Sequence, residues 1–423
     1  MWIKGARILD PASGLDSPGD LLIEKGHIAG IYPGGHNDAH QQNAIDARGL
    51  WAMPGLVDMH VHLRDPGYEY KEDLYTGSLA AAAGGVTTVL AMANTNPVND
   101  NPSVTQYIVE RVKEIGLIRI LPAGAVTKGL RGKELSEMGL MKIAGIVAVS
   151  DDGRPIESAS MMRRALEYAA TFGLPLIVHC QDLSLSGKGV MHESALSSSL
   201  GLLGIPRLAE DVMVARDLTI CEDLKIPLHI THVSSRNSLA IIRHARERGV
   251  RVTCDATPHN LLLTEARVAD YDTNAKMYPP LREESDRMAL IHGLSAGIID
   301  CIASDHAPHA YDEKDLDFDL APFGTLGLQT LLPALLKLHY DHKLDLLKLI
   351  ATATVNPARI LGVEAGHLSV GGPADIALVN PEALWTLTED VIRSKSKNSA
   401  FLGLQFKGRV AYTICQGRIV YQG

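Results

Sequence analysis

The chain has 423 residues, 46% of them hydrophobic and 21% charged, with a formal net charge of −9. That is an ordinary globular composition, long enough for one large domain or two average ones. The acidic balance gives no basic footprint for nucleic acid or an anionic membrane, so a small anionic substrate would need a local cationic pocket.

The first ten residues, MWIKGARILD, turn polar too early for a secretory signal, and no window approaches the apolar length of a membrane span. Cys180, Cys221, Cys254, Cys301 and Cys415 are scattered without CxxC spacing. Reduced thiols in a cytoplasm is the simplest reading.

In chain order, residues 1–54 read as short strands separated by turn residues: MWIKGARILD, DLLIEKGHIAGIYPGG and NAIDARGLWAMPG. Residues 363–423 read similarly, with HLSVGGPADIALVNP and GRVAYTICQGRIVYQG. The two ends are predicted to pair into one small β-sandwich domain, with residues 55–362 inserted between them.

The insert alternates between Val/Ile-rich runs and helical patterns. The runs are LVDMHVH, VTTVLAMA, IRILPAGAV, IAGIVAVSDD, LPLIVHC, IPLHITHV, VRVTCDATPH and IDCIASDHA, beginning near Leu56, Val86, Ile118, Ile143, Leu174, Ile226, Val250 and Ile299. Such unalternating runs suit parallel strands covered on both faces. Between them, ESASMMRRALEYAATFG places Met161, Ala165, Leu166 and Ala169 on one stripe and stops at Gly173. NSLAIIRHARERG does the same with Leu239, Ile242 and Ala245 before Gly249. Eight such runs, mostly alternating with helices, predict an α/β fold of the (β/α)8 barrel type.

The polar ends of the runs carry the chemistry. His60 and His62 sit at i and i+2 on one strand, so both imidazoles can face one metal. The fourth run ends in Asp151-Asp152, the fifth in His179, the sixth in His232 and the eighth in Asp305. C-terminal strand ends of a barrel converge on one face, and imidazoles with carboxylates suit Zn²⁺ or a similar divalent ion. A lone buried histidine is more often a hydrogen-bonded core group, but five of eight runs ending in ligand-type residues is not a bland pattern. Asp151 and Asp152 cannot be separated by spacing, because adjacent strand residues point to opposite sides.

A carboxylate at Asp305 could bind metal through one oxygen and move a proton from the attacking water to the leaving nitrogen through the other. His229 has no obvious partner, and His192, His244, His292, His339 and His342 fall in helix-like or loop text; all six are assigned to structure. Arg64, Asn94 and His309 are candidate anion contacts, Arg64 through a bidentate guanidinium.

As a set, GLVDMHVHLRDPG, GGVTTVLAMANTNP, SDDG, VHCQD, HITHVSS, TPHN, PPLR, IASDHAPH, APFG and GGPADIAL resemble the dihydroorotase family of the amidohydrolase superfamily, in its longer bacterial type I class. The likeness spans almost the whole chain. It implies reversible interconversion of N-carbamoyl-L-aspartate and dihydroorotate in pyrimidine synthesis. It also implies two zinc ions, one on His60, His62 and Asp305, the other on His179 and His232, with Asp152 bridging. Asp305 would be the catalytic acid/base. Arg64, Asn94 and His309 would hold the substrate carboxylate, with the backbone at Phe323 and Gly324 against the ring amide.

Hydantoinase- and allantoinase-like relatives usually bridge their metals with a carboxylated lysine; here Asp152 takes that place, and neutral rings need no clamp such as Arg64. A metal-free scaffold for aspartate transcarbamoylase would have lost ligands that this chain keeps. Association with aspartate transcarbamoylase and homo-oligomerisation stay open. Two departures from the family pattern stand out: Tyr278 where an Asn is usual before Pro279-Pro280, and Ala93 for proline in AMANT. The segment 310–322 lacks periodicity beside the proposed site and is expected to be either a mobile covering loop or an ordinary surface loop.

Overall fold

The computed structural model describes residues 1–36 and 44–423; Asn43, the first residue of the third strand-like run, lies outside them. The N-terminal part supplies β1 (Trp2–Asp10), β2 (Leu15–Glu24), β3 (His27–Pro33), β4 (Ala44–Asp46) and β5 (Trp51–Pro54). The middle supplies β6 (Leu56–Val61), β7 (Val86–Ala91), β8 (Arg119–Gly124), β9 (Ala148–Ser150) and β10 (Leu176–Val178). It continues with the short β11 (Met191–His192) and β12 (Gly204–Ile205), then β13 (Leu228–Ile230), β14 (Val252–Ala256) and β15 (Cys301–Ile302). The C-terminal part adds β16 (Ile376–Thr386), β17 (Gln405–Cys415) and β18 (Arg418–Gln422).

Each of the eight predicted runs contains one strand of a parallel sheet ordered β15-β14-β13-β10-β9-β8-β7-β6. β6 and β7 are buried at every residue, as strands covered on both faces should be. The sheet curls until its ends meet. Val61 bridges His306 in parallel, the His62 N–H donates to the His306 carbonyl at 2.8 Å, and the Ser304 N–H donates to Asp58 Oδ1 at 3.0 Å. The architecture is therefore the expected (β/α)8 barrel. Its fourth strand is shorter than the run that announced it. Ile143 belongs to the preceding helix Met138–Ala144 and is 84% exposed.

The helices follow their stripes. Ala159–Thr171 buries Met161, Ala165, Leu166 and Ala169. Arg236–Glu247 buries Leu239, Ile242 and Ala245 and starts at Ser235, whose side chain accepts from the N–H groups of Asn237 and Ser238.

Strands from both termini form one hydrogen-bonded sheet, β18-β17-β16-β5-β1-β2-β3, with β4 also on β1. Period-2 alternation divides its residues between two cores. Met53, Ala377 and Val379 join the barrel's core, while Ala52, Ile376 and Leu378 join a separate core with Ile3, Ile8 and Leu21. All five cysteines are free and buried, and no helix among the described residues is long and apolar enough to cross a membrane.

Candidate active site

The C-terminal ends of the barrel strands bring His60, His62, Asp152, His179, His232 and Asp305 into one buried cluster. Asp152 stands at its centre. Its Oδ2 lies 3.2 Å from His60 Nε2 and 3.4 Å from His62 Nε2. Its Oδ1 lies 3.3 Å from His232 Nε2 and 3.8 Å from His179 Nδ1. One carboxylate thus turns one oxygen to each histidine pair. Asp305 Oδ1 adds contacts of 3.2 Å to His62 Nε2 and 3.6 Å to His60 Nε2.

Asp151 turns away, accepting from the backbone N–H groups of Val126 and Thr127 at 2.7 and 3.0 Å, so the pair that spacing left open is divided by the fold. His229 is a buried core histidine, as expected, with a partner the sequence did not reveal: Asp255, 2.8 Å from its Nε2. His192 sits in a buried group with Arg282.

Several features of this cluster fit a bound divalent cation. His60 Nε2 is buried without a hydrogen-bond partner. His179 Nδ1 and His232 Nε2 face each other at 2.9 Å, and two imidazole lone pairs at that distance need a proton or a cation between them. His60, His62 and Asp305 form one grouping with donor atoms close enough to share an ion, and His60, Asp152 and His232 form another. A third grouping, His192 with Glu283 and Asp286, is already filled by a cation: Arg207 Nη2 lies 2.7 and 2.8 Å from the two carboxylates.

The carboxylates call positive charge into the cluster, from an ion or from the imidazoles: burial lowers His60, but Asp152 and then Asp305 raise it to about 10. Burial would raise the Asp305 carboxyl, but the hydrogen bond from His62 and the charges of His60 and His62 hold it at about 2. Burial likewise opposes ionisation of Asp152, yet His60 and His232 hold it well below the ordinary carboxylate range. Burial and neighbouring His232 push His179 down to about 3, leaving it the neutral imidazole a metal requires. Three of the groups, Arg64, His232 and Asp305, have positive φ (62°, 41° and 47°), strained backbone of the kind that concentrates at functional sites.

A cleft of about 640 Å³ opens beside the cluster. Arg64, Asn94, Tyr278, His309, Phe323 and Gly324 all line it, together with His62, Asp152, His179 and Asp305. Arg64 Nε donates to the Pro308 carbonyl at 3.2 Å, and its Nη2 lies 3.5 Å from His309 Nε2. The Asn94 Oδ1 accepts from His62 Nδ1 at 2.9 Å, which leaves His62 Nε2 for the cluster. Burial and the Arg64 charge push His309 down to about 2, so it stays neutral; its Nε2 donates to the Phe323 carbonyl at 2.8 Å.

The Gly324 N–H is committed to the Lys276 carbonyl at 2.8 Å, so that amide is not free to meet a substrate. Tyr278 stacks on His179 with ring centroids 5.0 Å apart and touches Phe323 at the same distance, acting as an aromatic wall. Ala93 is buried with Ala125 and Leu130. The segment 310–322 borders the cleft and contains a short helix, Tyr311–Lys314.

Arg154, which sequence reasoning passed over, also lines the cleft; it is exposed two residues beyond Asp152 in SDDGR, and that position was the available signal. Asp255, next to last on β14 as His60 is on β6, carried such a signal as well; Thr231 carried none.

The chain belongs to the amidohydrolase family, whose model matches residues 51–420. Within that family it is similar end to end to dihydroorotases. It is 50% identical to those of Geotalea daltonii and Geobacter metallireducens and 52% identical to that of Geobacter sulfurreducens, covering 100% of this chain and 99% of each relative. Among solved structures it resembles the L-hydantoinase (dihydropyrimidinase) of Arthrobacter aurescens, with a TM-score of 0.88 at 25% identity over 100% of this chain and 96% of that one. The dihydropyrimidinase of Brevibacillus agri follows at 0.86 and 22%, over 100% and 95%. These likenesses in structure speak to the fold.

Proposed function

We propose that the chain is a metal-dependent dihydroorotase of the cytoplasm, interconverting N-carbamoyl-L-aspartate and dihydroorotate in pyrimidine synthesis. The observation that carries this reading is the pairing, in one cleft, of a guanidinium able to hold a carboxylate (Arg64) with a buried cluster of four imidazoles and two carboxylates. A neutral cyclic ureide would leave Arg64 without a counter-charge, which disfavours a hydantoinase-like activity.

His60, His62 and Asp305 would hold one zinc ion and His179 and His232 a second, with Asp152 contributing one oxygen to each. Ions bound there supply Lewis acidity, polarising the ring carbonyl and bringing a water towards ionisation at neutral pH. Arg64 and the free amide group of Asn94 fix the substrate carboxylate and so orient the ring, beside neutral His309, whose one N–H is held by the Phe323 carbonyl. Asp305 takes a proton from the attacking water and delivers it to the ring nitrogen as the C–N bond breaks; ring closure runs the same path backwards. Tyr278 and Phe323 give the ring an apolar wall and exclude water.

Assay of the purified chain on dihydroorotate, hydantoin and allantoin, with metal analysis, tests the reading. Turnover of dihydroorotate with zinc bound is expected. Turnover of hydantoin or allantoin alone would overturn it, and a chain without bound metal would favour the scaffold alternative. Asp305→Asn should lower turnover about 10²- to 10⁴-fold with an unchanged circular dichroism spectrum. Near-normal activity would refute the role given to Asp305. Association with aspartate transcarbamoylase, and self-association, belong to this reading by family likeness and are tested by sizing the chain alone and mixed with that partner.

A further inference from the structure

Beneath the ligand cluster lies a buried polar group that the reaction as described does not use: His229, Thr231 and Asp255, each no more than 2% exposed. β13 and β14 pair in parallel, with His229 opposite Thr253, and Asp255 lies further along β14 towards the cluster. Asp255 Oδ2 accepts from the Thr231 hydroxyl at 2.9 Å and from His229 Nε2 at 2.8 Å. Its Oδ1 accepts from the His232 backbone N–H at 2.7 Å. The Thr231 oxygen in turn lies 2.7 Å from His60 Nδ1.

Counting hydrogens fixes the direction of this chain. An ionised carboxylate only accepts, and a hydroxyl has one hydrogen to give. Thr231 gives its hydrogen to Asp255, so towards His60 it can only accept. In the neutral imidazole that a cation requires, His60 Nδ1 therefore carries the proton, and the bare lone pair is on Nε2, the atom facing Asp152 and Asp305. On its other oxygen, Asp255 anchors the amide of His232, whose φ of 41° needs such a tether.

We propose that Asp255 is a positioning residue for both halves of the ligand cluster: through Thr231 it sets the tautomer of His60, and through the backbone amide it sets the direction of His232. The inference rests on the reading of His60 and His232 as metal ligands. An amide at position 255 would present donor hydrogens to this network. Thr231 would then be free to reverse and donate to His60 Nδ1, moving the imidazole proton to the ligating nitrogen.

The test compares Asp255→Asn, Thr231→Val and Thr231→Ser with the native chain in a zinc titration against a chromophoric chelator, without substrate. Nitrogen-15 NMR of the imidazoles is recorded on the metal-free proteins at a pH high enough to leave His60 neutral. Asp255→Asn and Thr231→Val should weaken zinc binding by about 10- to 100-fold. Asp255→Asn should also show His60 protonated on Nε2, while Thr231→Ser, which keeps the hydroxyl, should match the native chain in both readouts. Native affinity in Asp255→Asn and Thr231→Val, or an unchanged His60 tautomer in Asp255→Asn, would overturn the proposal. Should Asp255→Asn fail to fold, Thr231→Val against Thr231→Ser decides. A native chain that binds no zinc would instead break the reading beneath.

Discussion

Every group on the metal side of the cleft follows a barrel strand within three residues or lies on one, whereas Tyr278, Phe323 and Gly324 on the opposite wall belong to long loops. The ligand side is held by the sheet ladder and by carboxylates such as Asp255 behind it. The loop wall is tied down by two buried ammonium groups. Lys276 Nζ donates to the Phe318 carbonyl at 2.7 Å, and Lys314 Nζ donates to the carbonyls of Pro322 and Gly324 at 2.8 and 3.1 Å. The lesson is a division of labour: the cluster and the carboxylate contacts Arg64 and Asn94 sit at the ends of rigid strands, and the apolar wall sits on loops held by separate ties.

Substitutions on the two walls should therefore fail in different ways. Asp152→Ala, at the centre of the strand wall, should strip metal and lower turnover by about 10³-fold or more; a variant with full metal content would contradict the placing of Asp152 between the two pairs. Arg64→Gln, at the junction of the walls, should keep its metal while kcat/KM for dihydroorotate falls about 30- to 1000-fold, the effect of losing one buried charged partner. Equal losses on dihydroorotate and on a neutral ring would count against the carboxylate contact.

Lys314 offers a subtler probe, because burial, then the charge of Lys276, lowers its ammonium from the ordinary 10.5 to about 7. Between those values the unfolded chain holds a proton that the folded chain lacks, so stability should rise with pH from about 7 to about 10.5 and be insensitive to this group below 7. Lys314→Met should flatten that slope in urea unfolding measured at pH 7, 8 and 9, and an unaltered slope would dismiss the ammonium as its source. The mildest change is Tyr278→Asn on the loop wall. It should alter kcat/KM by no more than about threefold, roughly 0.6 kcal/mol. A much larger loss would show that the stacking on His179 matters to the ligand itself.

Much of this molecule is written locally. Unalternating Val/Ile runs separated by 3.6-period stripes determined the eight barrel strands and their helices, because burial on two faces and on one face leave different periods in the sequence. The i, i+2 spacing of His60 and His62, and ligand-type residues at the ends of other strands, made most of the metal side legible in the same way. Tertiary structure alone decided which of Asp151 and Asp152 turns inward, since a period of two says that they part but not which way. It alone supplied the carboxylate behind Thr231, brought Tyr278 against His179 and placed Arg154 on the cleft. Those contacts join residues distant in sequence, and no local pattern specifies where a loop comes to rest.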